Sequence, residues 1–346
     1  MTGHAARPRA VCILGMHRSG TSVVAKAVGV LGAYLGAAEE LLPAAPDNPE
    51  GFWERRDVCG LGERLLAALG TTWDTVAPLP EAWLAAPAVG PLREELAALI
   101  GGAFAGRPLW AWKDPRTCLL LPLWKEVLRG AGVDLGVLFT VRNPLDVARS
   151  LHKRDGLPLA RGFGVWFNYN LSAIRAVAEL PVAFVSYDRL LEEPRRELLR
   201  CASALGLPWP APAVAVDASL ATLARPELRH SASGSEELIA AGAAAPVREL
   251  HGLLERLAAG ASLADPEVAV PLERLGAEHA AYAALFRDEL AAAGASRLAQ
   301  RAAEAGLRDC TARLEVALAH AALVERSWSW RVTAPLRRLR DGLRGS

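Results

Sequence analysis

Lysine is scarce in this chain, and several features that would indicate a common class of protein are missing. Four lysines stand among 39 basic residues, which face 38 acidic ones, so the net charge of +1 offers no bulk attraction to nucleic acid. The five cysteines include no C-x-x-C pair and the seven histidines no H-x-x-x-H spacing, so a metal site has no support. No run of about 18 apolar residues occurs, so no membrane-spanning helix is predicted.

The cysteines and the N-terminus indicate the compartment. An odd number of scattered cysteines is typical of buried free thiols in a reducing environment. The first apolar run, residues 10–14, is too short for a secretory signal peptide. We therefore expect a cytoplasmic protein, and 346 residues with 52% hydrophobic content are enough for one large or two modest domains.

The segment VCILGMHRSGTSVVAKA, residues 11–27, combines a predicted buried strand with a predicted helix. Between them lies a loop bounded by Gly15 and Gly20. Loops of this kind bind phosphate through backbone N–H groups and the helix N-terminus. The side chains that offer further donors are Arg18, Ser19, Thr21 and Ser22.

The loop departs from the nucleoside-triphosphate pattern G-x-x-x-x-G-K-[ST] at one position. The two glycines are correctly spaced, but Thr21 stands in place of the lysine, and the basic residue, Arg18, lies inside the loop. Without that lysine, a triphosphate enzyme would lose its hold on the β- and γ-phosphates. The sequence therefore favours a different phosphate-bearing ligand.

Polar residues follow each of the three later predicted strands. They are KDPR (residues 113–116), Arg142 and Tyr187, after strands over residues 109–112, 135–141 and 182–185. Ser150 lies about two helical turns after Arg142, so both could bind one anion, although a lone Arg at a strand end is also typical of a surface ion pair. The alternation of strands and helices predicts an α/β fold, with a parallel central sheet and helices on both faces.

The loop over residues 41–54 ends in Phe52, Trp53 and Glu54, and two interpretations are open. In the first, the aromatic pair and the carboxylate line a substrate pocket. In the second, Phe52 and Trp53 anchor the loop in the core, and Glu54 starts a helix whose dipole favours it.

Four segments resemble motifs of the sulfotransferases that use 3′-phosphoadenosine 5′-phosphosulfate (PAPS), especially bacterial enzymes that act on glycans or other cell-surface acceptors. GMHRSGTS (15–22) resembles their 5′-phosphosulfate loop, and VRNPLDVARS (141–150) resembles their 3′-phosphate motif. KDPR (113–116) is similar to a Lys-Asp-Pro segment of some branches, and SYDRLLEEP (186–194) to a Tyr-x-Asp-Leu segment near the adenine. Order and spacing agree over residues 8–260.

The resemblance implies a P-loop-like sulfotransferase fold, with PAPS as sulfuryl donor, a hydroxyl on a glycan or glycoconjugate as acceptor, and no metal. It implies that Arg18 and Lys113 stabilise the charge on the leaving phosphate. The residues to which it assigns nucleotide binding are His17, Arg18, Ser19, Gly20, Thr21, Ser22, Arg142, Ser150 and Tyr187.

The resemblance also implies a general base, which is His in some branches of the family and Glu in others. No His lies in the KDPR segment, so Glu54 is the first choice and Asp114 the second. Two other functions remain open, a P-loop kinase or NTPase and a catalytically silent PAPS-binding scaffold. Phosphate transfer from ATP with Mg²⁺ would support the kinase, and nucleotide binding without turnover would support the scaffold.

The C-terminal part is predicted to be a separate region. We expect a sulfotransferase domain over residues 8–260, a helical extension over 265–326 and a basic aromatic tail over 327–346. Apolar residues at spacings of three and four from Leu307 onward favour an antiparallel helical pair or a weak coiled coil. The tail is similar to tails on bacterial surface-polysaccharide enzymes, and it suits contact with an anionic membrane, contact with a partner protein, or solvent. Arg229 is expected to close over the nucleotide.

Overall fold

The structure is a computed structural model that describes residues 7–45, 48, 51–210, 216, 218–220 and 234–337. The chain divides into two compact units, Met1–Ala291 and Ala292–Ser346. Arg229 and residues 338–346 of the basic tail lie outside the described residues, so the predictions made for them stay predictions.

A four-stranded sheet forms the centre of the first unit. Its strands are β1 (Arg9–Leu14), β2 (Leu109–Lys113), β3 (Asp134–Val141) and β4 (Val182–Ser186), in the order β2-β1-β3-β4. All three pairings are parallel, as predicted. Each strand is a short apolar run, because a parallel sheet is covered on both faces.

Helices occupy most of the remaining described chain of this unit. They are α1 (Thr21–Val30), α2 (Arg56–Ala68), α3 (Gly90–Ala103), α4 (Thr117–Gly130), α5 (Pro144–Asp155), α6 (Leu159–Ala176), α7 (Tyr187–Glu192), α8 (Pro194–Leu205), α9 (Ser235–Ala240), α10 (Ala245–Ala258) and α11 (Pro266–Leu285). Neither α9 nor α10 was predicted, although Val247, Leu250 and Leu254 have the spacing of an amphipathic helix.

Helices cover both faces of the sheet, because successive side chains of a strand point to opposite faces. On one face, Cys12 and Leu14 of β1 join a core formed with α2 to α6, α10 and α11. On the other face, Val11 and Ile13 pack with α1 and α8. The predicted α/β fold with a parallel sheet between two helical layers is confirmed.

The first unit extends to Ala291, beyond the predicted domain boundary at residue 260. Val268, Leu272 and Leu275 of α11 are buried in the first core. Burial of three such side chains contributes roughly 1.5–3 kcal/mol each relative to exposure. This packing makes α11 part of the first unit rather than of a separate extension.

The second unit consists of helix in its described part. α12 (Arg287–Arg326) begins within the first unit and continues through the second, where α13 (Trp328–Val332) follows it. The predicted C-terminal helical extension is therefore present. Pairing of this extension with another helix stays a prediction.

The cysteines are free, and four of the five are buried, with Cys310 exposed. Burial raises the pKa of the Cys118 thiol to about 12, so that thiol stays protonated at neutral pH. None of the helices in the described ranges is long and apolar enough to cross a membrane.

Candidate active site

The sheet register brings the ends of all four strands to one edge. Ile13 pairs with Lys113, Leu14 with Phe139, and Val141 with Ser186. The segments that follow the strands therefore start side by side, at the carboxyl edge where open α/β sheets bind ligands. This is why motifs that are far apart in the sequence meet at one site.

The loop between β1 and α1 has a strained backbone and an open helix N-terminus. Arg18, with φ 68°, and Trp53, with φ 57°, are the non-glycine residues with positive φ in the described part of the chain. Such conformations cost about 1–3 kcal/mol and concentrate at functional sites. No side chain caps α1 and its first turn holds no acidic residue, which suits this N-terminus to an anion.

Four of the predicted nucleotide-binding residues form one group beside this loop. Arg18 Nε donates to Ser150 Oγ at 2.8 Å, and Arg142 Nη1 donates to the Arg18 carbonyl at 2.8 Å. The Arg142 guanidinium lies over the Tyr187 ring, 4.3 Å from its centroid. Arg142 Nε is buried without a hydrogen-bond partner among the described residues. A surface ion pair does not account for this arrangement, which suits an anionic ligand.

Ser150 reaches Arg18 because α5 starts directly after β3. The Asn143 side chain accepts a hydrogen bond from the Leu145 N–H at 2.9 Å, and Pro144 occupies the first helical position. Because of these two residues, the helix α5 starts almost immediately after Arg142. Residues about two helical turns apart share a face, so Ser150 returns to the same side.

A second group joins Lys113 and Glu54 to Ser22. The Lys113 ammonium forms a buried salt bridge with Glu54 and donates to Ser22 Oγ at 3.2 Å and to the Phe52 carbonyl at 3.0 Å. An ammonium has three N–H donors, so all of them are engaged. Lys113 thus holds Glu54 beside the loop, and contact with a leaving phosphate would require it to give up one of these partners.

The two candidates for the base differ in their surroundings. Glu54 Oε2 accepts from the Cys59 thiol at 3.2 Å, while Oε1 faces Lys113. Asp114 accepts from the Arg116 guanidinium at 2.8 Å, and burial raises the pKa of Asp114 against the opposing effect of that guanidinium. A Cβ at Gly62 of α2 would lie 2.7 Å from Asp114 Oδ2, so α2 closes over this carboxyl. Asp114 is therefore the more enclosed of the two, and the choice of Glu54 as the base stays a prediction.

Glu54, Cys59 and Asp114 also place one donor atom each within 4.8 Å of one another. Both carboxylates already pair with cations, Lys113 and Arg116. Burial raises the pKa of the Cys59 thiol far enough to keep it protonated. A metal ion would have to displace both cations and the thiol proton, so the cluster does not fit one.

The other predicted loop residues make different contacts. The His17 ring packs against Trp73 and Tyr169, at centroid distances of 4.8 and 5.9 Å. Ser19 and Thr21 are buried. Arg18 and Ser22 therefore link the loop to the two groups described above, and nucleotide binding by His17, Ser19 and Thr21 stays a prediction.

The loop before α2 combines features of both interpretations. Trp53 packs against the core on the face of the sheet that α1 and α8 cover, as an anchor would. The Phe52 carbonyl accepts a hydrogen bond from Lys113. Glu54 precedes α2 rather than starting it, since that helix begins at Arg56. Two further residues of the site were not predicted, Asn48, whose amide donates to Ser22 Oγ at 3.4 Å, and Cys59. Cys59 follows Glu54 by five residues in the first turns of α2, whereas no pattern marks Asn48.

Replacing Gly20 by Ala is expected to destabilise the protein more than the same change at Gly32. Both glycines have positive φ, 86° and 89°, so both variants bear the same backbone strain of about 1 kcal/mol. A Cβ at Gly20 would lie 2.1 Å from the Tyr187 ring, whereas one at Gly32 meets nothing within 4 Å. The clash should add about 1–3 kcal/mol to the loss in unfolding free energy, measured by urea titration. Equal losses in both variants would mean that Tyr187 does not pack tightly on the loop.

The solved structures that match this chain include sulfotransferases at low identity. The sulfotransferase domain of the Synechococcus PCC 7002 olefin synthase is 17% identical over 80% of this chain and 98% of that one, with a TM-score of 0.37. The sulfotransferase domain of the curacin biosynthetic pathway is 15% identical over 79% and 99%, with a TM-score of 0.36. The sulfotransferase STF1 from Mycobacterium tuberculosis H37Rv is 16% identical over 74% and 78%, with a TM-score of 0.39.

No family model matches the chain, and no curated protein matches it at a significant level. All three solved structures are described as sulfotransferases. At these TM-scores the likeness does not decide the function, which depends on the site itself.

Proposed function

We propose that this protein transfers a sulfuryl group from PAPS to an acceptor hydroxyl. The main support is Arg142, a half-buried residue whose buried Nε has no hydrogen-bond partner in the described part of the chain, and which lies beside the uncapped N-terminus of α1. PAPS carries a 5′-phosphosulfate and a 3′-phosphate, and therefore needs two anion sites. A nucleoside triphosphate needs one such site together with the P-loop lysine, which Thr21 replaces here.

The two anion sites are assigned to different parts of the strand edge. The loop N–H groups, Arg18 and Ser22 would hold the 5′-phosphosulfate, and Arg142 with Ser150 the 3′-phosphate. Tyr187 supports both, because its ring packs on Gly20 and under Arg142. When bound, PAPS supplies a sulfuryl group joined to phosphate through a bridging oxygen. Arg18 would stabilise the negative charge that collects on that oxygen.

Glu54 is assigned the role of general base, which takes the proton of the acceptor hydroxyl. Lys113 and Cys59 each contact one of its two carboxylate oxygens. Ser22 accepts a hydrogen bond from Lys113 and so connects the Lys113–Glu54 pair to the loop. In the reaction, the acceptor oxygen bonds to sulfur and the bond from sulfur to the bridging oxygen breaks. The proton moves to Glu54, and adenosine 3′,5′-bisphosphate leaves. In this assignment Lys113 positions the base, which differs from the role at the leaving phosphate that the resemblance implied.

The acceptor is proposed to be a hydroxyl of a glycan or cell-surface glycoconjugate. A sugar hydroxyl is a weak acid that must lose its proton during attack, so it requires a positioned base such as Glu54. Labelled PAPS offered with oligosaccharides, glycolipids and small alcohols should label the carbohydrate acceptors. Labelling of small alcohols alone would overturn the acceptor class and leave the reaction standing.

The nucleotide is tested by thermal stability. Adenosine 3′,5′-bisphosphate should raise Tm because it binds the folded protein. At a ligand concentration of one hundred times Kd it adds about 2.7 kcal/mol to the free energy of unfolding, and ATP with Mg²⁺ should raise Tm far less. Equal stabilisation by ATP would contradict the proposal. Binding of the bisphosphate without turnover on any acceptor would favour a silent binding module.

A further inference from the structure

The helix α12 presents side chains to solvent in all directions along much of its length. Every residue from 299 to 323 is exposed, including Leu307 at 69% and Leu314 at 57%. A helix of a globular protein normally buries one apolar stripe, since packing rather than intrinsic propensity supplies most of its stability. The described residues therefore leave an apolar stripe of α12 uncovered.

The stripe has the spacing of a coiled-coil seam. Apolar residues recur at alternating intervals of four and three along three heptads, and none of the seven positions carries a charge. The seam consists of Ala303, Leu307, Cys310, Leu314, Ala317, Ala321 and Val324. It ends there because Ser327 leaves the helical conformation and caps α13.

We propose that a second copy of this chain covers the seam, in a parallel two-stranded coiled coil through α12. The flanking charges favour this partner and this direction, since facing residues beside the seam set the orientation of a coiled coil. In the parallel arrangement, His320 faces Glu325 of the second copy, and no like charges meet. The three alanines of the seam allow the two helices to approach closely.

The antiparallel arrangements bring like charges together. Two antiparallel registers keep six of the seven seam positions in contact. One of them places Glu304 beside Glu325 of the second copy, twice by symmetry. The other places Arg313 beside Arg313 of the second copy. Like charges that face each other destabilise such a pair, so the parallel arrangement is preferred. This inference is independent of the proposed activity.

The position of Cys310 distinguishes a parallel from an antiparallel pair of α12 helices. It occupies a seam position, so a parallel pair in register sets it opposite Cys310 of the second copy, whereas the antiparallel registers set it opposite Ala321 or Leu314. The other four cysteines are buried, so a short bis-maleimide should react at Cys310 in the full chain. We expect a covalent dimer with the natural chain and none with Cys310→Ser. A dimer by light scattering that does not cross-link would overturn the parallel register.

The seam itself is tested by matched charge substitutions. Leu314→Glu places two like charges in the interface and should raise the dimer Kd at least about a hundredfold. Val316→Glu makes the same kind of change at an exposed position on the opposite side of α12, and it should leave the mass unchanged. Both positions are exposed, so circular dichroism and Tm should show folded protein in either case. A monomeric natural chain at micromolar concentration, or equal dissociation by both variants, would overturn the proposal.

Discussion

Replacing Glu54 by Gln is expected to lower kcat by about two to four orders of magnitude at saturating PAPS, the usual contribution of a positioned base. Gln keeps the shape of the side chain and an oxygen that can accept from Lys113, but it cannot take the acceptor's proton. Lys113 then loses a charged partner, so the free energy of unfolding should also fall by about 1–3 kcal/mol. Turnover must therefore be measured per folded molecule.

Asp114→Asn is the control for this variant. Asp114 is buried against Arg116, so removing its charge should lower the free energy of unfolding. The kcat per folded molecule should stay unchanged. Near-normal turnover in Glu54→Gln together with a large loss in Asp114→Asn would move the base to Asp114. Losses in neither variant would argue against a sugar hydroxyl as the acceptor.

Replacing Arg18 by Ala is expected to lower kcat by about two to three orders of magnitude, because it removes a preorganised donor from the bridging oxygen. Binding of adenosine 3′,5′-bisphosphate should change less, since the loop N–H groups and Arg142 remain. Initial rates at varied PAPS concentration separate kcat from KM.

Arg142→Ala is the matched comparison, because it removes a guanidinium that would act on the 3′-phosphate in the ground and transition states alike. It should raise KM for PAPS by an amount equivalent to about 1.5–3 kcal/mol and leave kcat nearly unchanged. If Arg18→Ala raises KM and Arg142→Ala lowers kcat, the roles of the two residues are exchanged.

Short-range patterns were sufficient to predict the sheet and the edge at which the candidate site lies. Each strand is an apolar run followed at once by polar residues, and parallel strands end at a common edge. Gly15 and Gly20 marked the loop, and Thr21 in place of lysine argued against a triphosphate. These conclusions need only residues that are neighbours in the chain.

The contacts within the site could not be predicted in this way. Lys113 and Glu54 are 59 residues apart, and Arg18 and Ser150 are 132 residues apart. The sequence suggested that Lys113 acts beside Arg18, whereas the packing of the loop before α2 directs its ammonium to Glu54, Ser22 and the Phe52 carbonyl. That direction depends on how Trp53 packs in the core, which no local pattern encodes.

By itself the sequence determined the α/β class, the four strand positions, the strand–loop–helix order of residues 11–27 and the helical C-terminal extension. Only the tertiary structure decided that Cys59 donates to Glu54, that Arg142 Nε has no hydrogen-bond partner among the residues the structure describes, and that the first unit extends through α11. The physical reason is that periodicity and turn chemistry act between neighbouring residues. Which side chains of distant segments meet is set by loop paths and by close packing of helices on the sheet.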